Sequence, residues 1–379
     1  MKIYLDNGAT TKVDNKVVEA MLPFFEEKYG NASSLHIFGQ EAYKSLDGAR
    51  KTIAAKLNAQ SEEIIFTSGG SEANNLAIKG IINREDHIIT VKTEHPSVLN
   101  TIKELEKQGV ETTYLNVTKE GYIDFNELIA SFKENTKLVS IMHANNEIGV
   151  IQDIRKVYNL CKKKKIIFHT DAVQSFGKAY ISSEDADLIS ISAHKIHGPK
   201  GVGTLYVKKG IRLKPQIFGG DQEGKQRAGT ENIPGIVGFA KATELITEKE
   251  IKQMESLRDY FINELLKIKD TKLNGPRERL CNNINISFKY IEGEAILTLL
   301  DFEGIAVSTG SACSSKSLEP SHVLKALNLN QKEIHGTIRF TISKFTTKEE
   351  LDYSIDKIKM VVEKLRKISP LRGDKDVYR

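Results

Sequence analysis

The sequence predicts an α/β protein: a large unit built on a mainly parallel seven-stranded sheet, followed by a smaller α+β unit. Three observations point there. Over the middle of the chain, short runs rich in Ile and Val alternate with helix-like runs, a pattern that builds a parallel sheet flanked by helices. Near residue 235 the character changes and a long helical periodicity takes over. At 379 residues the chain is long enough for one large core and a lesser one.

The strand-like runs fall at 63–67, 87–92, 110–115, 137–142, 166–169, 187–191 and 203–207. They are short and rich in Ile and Val, as buried strands usually are. Helix-like runs lie between them at 71–82, 97–107, 125–131 and 153–163. Beyond 235 a helical pattern continues to about 269. Strands follow near 283–288 and 337–342, with helices near 294–303, 321–327 and 348–368. This division assigns 15–250 to the large unit, and 1–14 with 251–379 to the smaller one.

Composition narrows the function classes. Hydrophobic residues are 40% and charged residues 28%, as in a soluble globular protein. The net charge of +5 comes from 55 basic and 50 acidic residues, a small excess. The basic run Lys162 to Lys165 ends a predicted helix and reads as a solvated terminus. No interleaved aromatics are present to stack bases, so direct nucleic-acid binding is not expected. No stretch approaches the roughly 20 apolar residues that span a membrane. The first eight residues lack an apolar signal core, and cytoplasm is the expected location. The three cysteines, Cys161, Cys281 and Cys313, form no Cys-x-x-Cys pair, which argues against a disulfide framework or a structural zinc.

Ligands of open α/β sheets bind beyond the carboxyl ends of the strands. The residues just after successive predicted strands are Ser68-Gly69-Gly70-Ser71-Glu72, Thr93-Glu94-His95-Pro96, Asn145-Asn146-Glu147, Asp171-Ala172-Val173-Gln174 and Ser192-Ala193-His194-Lys195. Each suits a phosphorylated pyridine aldehyde. Gly70 and Ser71 open a helix whose free N–H groups bind phosphate. An ordinary capped strand–helix turn would look similar. Asp171 can pair with a protonated pyridine nitrogen, or act as a helix N-cap. Gln174 lies one turn on, within reach of the same ring. Lys195 can form a Schiff base, and Lys200 is its rival in a turn between Pro199 and Gly201. His95 can cover a ring or move protons. His194 and His197 have a His-x-x-His spacing with no third ligand, so no metal site is expected. Cys313 lies in Ser308-Thr309-Gly310-Ser311-Ala312-Cys313-Ser314-Ser315, a small, polar stretch that predicts an exposed, mobile loop with an accessible thiol. Cys161 lies among apolar residues and predicts a structural role, and Cys281 resembles it.

These residues together resemble the pyridoxal-phosphate-dependent cysteine desulfurases of the NifS/IscS type (group I), in the class-V aminotransferase family. The likeness runs in order along nearly the whole chain. It includes Tyr4-Leu5-Asp6-Asn7-Gly8-Ala9-Thr10-Thr11, Phe66-Thr67-Ser68-Gly69-Gly70-Ser71-Glu72-Ala73-Asn74-Asn75, Thr93-Glu94-His95-Pro96-Ser97 and Asn145-Asn146-Glu147-Ile148-Gly149. It continues through Asp171-Ala172-Val173-Gln174, His194-Lys195-Ile196-His197-Gly198-Pro199-Lys200-Gly201, Arg227-Ala228-Gly229-Thr230, Gly310-Ser311-Ala312-Cys313 and Ile338-Arg339-Phe340-Thr341.

The resemblance implies a fold-type-I enzyme, a homodimer, and pyridoxal 5'-phosphate as cofactor. It implies that Lys195 is the Schiff-base lysine, Asp171 the pyridine-nitrogen partner, Gln174 the phenolic-oxygen donor and His95 the histidine on the ring. Gly70, Ser71, Ser192 and His194 match phosphate-side positions. Thr230 matches a phosphate ligand supplied by the neighbouring subunit. Asn146 and Arg339 match residues near the substrate carboxylate, and Cys313 matches the cysteine that carries a persulfide. The implied substrate is L-cysteine, and the implied acceptor is an iron–sulfur scaffold or a tRNA-thiolation enzyme. With a scaffold, Cys313 could also ligate an iron–sulfur cluster transiently. Gly8, Ala32, Thr309 and Gly224 depart from the family's usual residues, and none removes a reacting group. An aminotransferase, a selenocysteine-preferring lyase, or a binding protein that docks sulfur acceptors remain the alternatives at this level.

Overall fold

The computed structural model describes residues 1–309 and 320–370. The chain opens with strand β1 (Ile3–Tyr4) and helices α1 (Asn15–Met21), α2 (Pro23–Glu26) and α3 (Ile37–Lys56). Strands β2 (Ile64–Thr67), β3 (His87–Val91), β4 (Glu111–Leu115), β5 (Thr136–Ser140), β6 (Ile167–Asp171), β7 (Leu188–Ser192) and β8 (Gly203–Val207) follow. Between them lie α4 (Gly70–Ile81), α5 (Pro96–Glu106), α6 (Phe125–Ala130) and α7 (Ile154–Lys163). The seven strands β2 to β8 form one sheet in the order β2-β8-β7-β6-β5-β3-β4. All pairs from β7 to β4 are parallel. β8 runs antiparallel to both of its neighbours, so β2 points the same way as β7. The mainly parallel sheet expected from the sequence is therefore present, with one reversed strand.

Alternate residues of each strand enter different cores. Ile64, Phe66, Ile89, Val139 and Ile189 pack on one face, whereas Ile65, Ile88, Leu138 and Leu188 pack on the other. Side chains of a strand point alternately up and down, so a strand apolar at every position needs cover on both faces. Helices α4 and α5 supply Leu76, Ile78, Val98 and Ile102 on one side. Helix α3 and helix α8 (Ile233–Glu244) supply Leu46, Ile53, Ile236 and Phe239 on the other.

Helix α3 was not expected from the sequence. Its buried positions are Gly39, Ala42, Leu46, Ala49, Ile53 and Ala54. They follow a helical spacing of three and four, but most are small and give little hydrophobic signal. Small residues suit a helix lying close against α8, which is where α3 packs. The long helix expected from about 235 to 269 is instead two, α8 and α9 (Glu248–Leu266). Thr247 caps the second by accepting the Glu250 N–H at 3.2 Å. The Thr-x-x-Glu signature of a helix start outweighs the continuing periodicity.

The remaining elements are β9 (Thr271–Leu273), β10 (Asn283–Phe288), α10 (Gly293–Phe302), β11 (Ile305–Ala306), α11 (His322–Ala326), α12 (Gln331–His335), β12 (Thr337–Thr341) and α13 (Lys348–Ile368). Strands β12-β10-β9 form an antiparallel sheet. A separate core gathers Phe261, Ile286, Phe288, Ile338, Phe340, Leu351, Ile358 and Val362, together with Ile3 and Leu5 from the N-terminus. Val323, Leu324, Leu327 and Ile334 instead pack into the core of the large sheet, although the sequence division assigned 251–379 to the smaller unit. Cys161 and Cys281 are both buried, and burial pushes their thiols up to about 12 and about 11. Among the described residues, no helix is long and apolar enough to cross a membrane.

Phe340 meets Phe261 edge-on at 5.4 Å between ring centroids in the smaller core. Phe340→Ala should cost about 3–5 kcal/mol of stability by opening a cavity there. Urea unfolding followed by circular dichroism should read this as a lower midpoint with an unchanged slope.

Candidate active site

Because β2, β3, β5, β6 and β7 point one way, the residues that follow them meet at one edge of the sheet. There they line a cavity of about 590 Å³. Gly70, Ser71, His95, Asn146, Asp171, Gln174, His194, Lys195 and Arg339 all line it. Two of the expected residues do not. Ser192 ends β7 and is buried, with a hydroxyl that has no hydrogen-bond partner. Thr230 is exposed. Cys313 lies outside the described residues, and the chain re-enters the structure at Pro320 and Ser321, both on the cavity wall.

The N-terminal segment crosses from the smaller core to this edge. Leu5 is held between Ala306 and Thr341 by backbone hydrogen bonds of 2.9 and 2.7 Å. Thr11 then donates its backbone N–H to the His194 carbonyl at 3.0 Å. Between these anchors the Gly8 and Ala9 carbonyls accept the Lys195 ammonium at 2.5 and 2.8 Å. The Gly8 carbonyl also accepts Gln174 Nε2 at 3.0 Å. Backbone carbonyls of the N-terminal segment thus hold a lysine at the cavity.

Asp171 is buried and oriented from two sides. Its Oδ1 accepts the Val173 N–H at 2.9 Å, and its Oδ2 accepts Asn74 Nδ2 at 2.7 Å. Asn74 also donates to Ser97 Oγ at 2.9 Å. Ser97 in turn sits 2.8 Å from His95 Nδ1, which accepts the Ser97 backbone N–H at 3.1 Å. With Nδ1 accepting, a neutral His95 carries its proton on Nε2. Burial lowers the His95 pKa against the pull of Asp171, and Lys195 and His322 lower it further. Burial and the nearby Lys195 push His194 down to about 4. Both rings are therefore mainly neutral at pH 7.

Reading the residues one by one missed Asn74 and Ser97. Asn74 stands one turn beyond Gly70 and Ser71 on α4, and a buried asparagine on a packed helix face is the signal that marks it. At the start of α4, a Cβ on Gly70 would lie 2.6 Å from Val173 Cγ2. Glycine is needed there for α4 to lie close to the turn that carries Asp171. Glu72 accepts the Ser68 N–H at 2.8 Å and pairs with Arg227 at 2.8 Å, which ties the segment leading to Thr230 to the start of α4.

The opposite wall belongs to the smaller unit. Arg339 on β12 pairs with Asp6 at 2.8 Å and donates Nη1 to the Asn146 carbonyl at 3.3 Å, while its buried Nε has no partner. Burial pushes Glu147, the next residue, up to about 7 against the opposing effects of Ser321 and Arg339. Glu94 is raised well above the carboxylate range by burial and by the Asp171 charge. A pyridine ring, a phosphate and an aldehyde each find a suited group here. Asp171 offers a fixed carboxylate, Ser71 and the start of α4 offer anion donors, and Lys195 offers an amine.

The aminotransferase class-V family model matches residues 3–353. A cysteine desulfurase IscS from Dictyoglomus turgidum is 53% identical over 384 residues, spanning 98% of each chain. A cysteine desulfurase IscS from Methanosarcina thermophila is 49% identical, covering 97% of this chain and 94% of that one. Among solved structures, a NifS-like protein superposes with a TM-score of 0.90 at 39% identity, covering 96% of this chain and all (100%) of the other. A structure described as SspA in complex with cysteine superposes with a TM-score of 0.82 at 35% identity, covering 91% of this chain and 100% of that one. The chain belongs to the class-V aminotransferase family, in the group of the cysteine desulfurases.

Proposed function

We propose that this protein takes sulfur from L-cysteine, releases L-alanine and holds the sulfur as a persulfide on Cys313, with pyridoxal 5'-phosphate as cofactor. One observation carries the reading: Lys195, Asp171 and Arg339 face a single cavity from three different parts of the chain. A lysine, a fixed carboxylate and an arginine are what the aldehyde, the pyridine nitrogen and an amino-acid carboxylate require. Gln174 suits the phenolic oxygen and His95 the ring face. Gly70, Ser71 and His194 on the cavity wall suit the phosphate end, and Ser192, buried off that wall, matches a phosphate-side position by resemblance. When bound, the cofactor supplies an electron sink for the substrate's α-carbon.

The chain's own groups do the rest. Arg339, with Asn146 beside it, binds the substrate carboxylate. Lys195 takes the α-proton and His95, carrying its proton on Nε2, assists proton movement. Cys313 attacks the substrate sulfur as a thiolate. A sulfur–sulfur bond forms as the carbon–sulfur bond breaks, and the carbon keeps the electron pair and is then protonated. The persulfide passes to an acceptor, an iron–sulfur scaffold or a tRNA-thiolation enzyme in this reading. A cytoplasmic location fits such acceptors.

The same reading makes the protein a homodimer. Phe25, Tyr29, Leu35, Ile37 and Tyr43 are exposed, Leu35 to 92%, and Phe218 is exposed to 84%. Arg50 on α3 joins the two segments through a bidentate pair to Glu223, with both bonds at 2.7 Å. Large apolar side chains on linked segments mark a surface that association would cover. Thr230 lies exposed on the second of these segments, where a neighbouring copy can use it as a phosphate ligand.

Four outcomes test this reading. Lys195→Ala should lose the visible absorbance of the bound cofactor and all turnover, whereas Cys313→Ser should keep the absorbance and lose persulfide formation; a Cys313→Ser enzyme that still passed sulfur at the wild-type rate would refute the mechanism. Asn74→Ala should weaken cofactor binding about tenfold, read by absorbance titration, because Asp171 loses a charge-assisted hydrogen bond. Leu35→Glu combined with Phe218→Glu should convert a two-chain species to single chains in sedimentation.

A further inference from the structure

The cavity wall holds a buried carboxyl that the mechanism does not use. Glu147 Oε2 accepts the Ser321 hydroxyl at 2.5 Å, and both residues are buried. A serine hydroxyl has one proton to give, and this one goes to Glu147. The Ser321 oxygen accepts the Val323 and Leu324 N–H groups at 3.2 Å each, capping α11. Ser321 is therefore fixed in direction as well as in place, at the point where the chain returns from the segment that carries Cys313.

Glu147 is itself bolted to both units. Its N–H donates to Asn145 Oδ1 at 2.9 Å. Its carbonyl accepts Asn283 Nδ2 at 3.1 Å and Asn285 Nδ2 at 3.0 Å. Asn285 is the register partner of Arg339 across β10 and β12, and Arg339 reaches the Asn146 carbonyl. The other flank of the segment is tied to the same residue. Ser308 and Arg339 exchange backbone hydrogen bonds of 3.2 and 2.7 Å. The chain on one side of Cys313 is thus referenced to Arg339 directly, and the chain on the other side through Ser321 and Glu147.

We propose that Glu147 is a positioning residue that, through Ser321, fixes the return of the Cys313-bearing chain in the frame of the carboxylate-binding Arg339. The proposal rests on the desulfurase reading above. Its consequence is a division of labour: Arg339 sets where the substrate lies, and the Glu147–Ser321 contact sets where the chain bearing the attacking thiol is anchored. Loss of the contact should impair sulfur transfer and spare cysteine binding.

The test uses the cofactor-loaded enzyme with L-cysteine and reads Cys313 persulfide in a single turnover, alongside KM and the visible spectrum. Glu147→Ala and Ser321→Ala should each slow persulfide formation about 10- to 100-fold, with KM and spectrum unchanged. The double variant should be no slower than the slower single one, because both remove one contact. Glu147→Gln keeps an acceptor for the Ser321 hydroxyl and should recover most of the rate. Ser321→Ala deletes a single oxygen, and it tests the contact even where Glu147→Ala fails to fold. Ser321→Ala loading sulfur at the wild-type rate overturns the proposal, as does Glu147→Gln performing no better than Glu147→Ala, or KM rising in step with the loss of rate. A wild-type enzyme that loads no sulfur on Cys313 sinks the desulfurase reading and this proposal together, an outcome distinct from the others.

Discussion

Five strands running the same way impose the constraint on which the site depends. Parallel strands deliver the chain to one edge of the sheet every time they end. β2, β3, β5, β6 and β7 all end there, and the cavity lies beyond their ends. Each turn can then contribute a different chemistry without moving any other. β6 presents Asp171 as its last residue, and β7 ends three residues before Lys195. β8 runs back between β2 and β7, and its first residue, Gly203, packs against Gly69.

A second constraint joins the two cores. The N-terminal strand belongs to the smaller core through Ile3 and Leu5, yet within a few residues its carbonyls hold Lys195. Asp6, in the same stretch, pairs with Arg339. One short segment thus touches the groups assigned to the aldehyde and to the substrate carboxylate. Displacing the smaller unit against the sheet would disturb both at once, so the packing of Leu5 is also a condition on the chemistry.

Burial tunes the charges around the cavity. The Gly8 and Ala9 carbonyls orient Lys195, and an amide and a backbone N–H orient Asp171. Fixed dipoles of this kind keep charged groups oriented. The neighbouring carboxyls Glu94 and Glu147 are raised by burial. For Glu94 the Asp171 charge adds to the effect of burial, since two like charges disfavour each other's ionised form.

The sequence shows the alternation of strands and helices, and with it the edge where the polar turns gather. It also marked Lys195, Asp171, Gln174, His95 and Arg339, because motif order is a property of the chain. One local signal was masked by the continuing periodicity, the Thr-x-x-Glu cap at Thr247 that divides the helical run. Contacts between distant segments were decided by tertiary structure alone. Helix α3 shows its small-residue face as a packing surface only against α8. Asn74 becomes a partner of Asp171 only when α4 lies over β6, and Glu147 meets Ser321 only when α11 packs into the core of the large sheet. The physical reason is common to all three: hydrogen bonds and close packing are short-ranged, so residues far apart in sequence carry no local trace of the partner that folding brings to them.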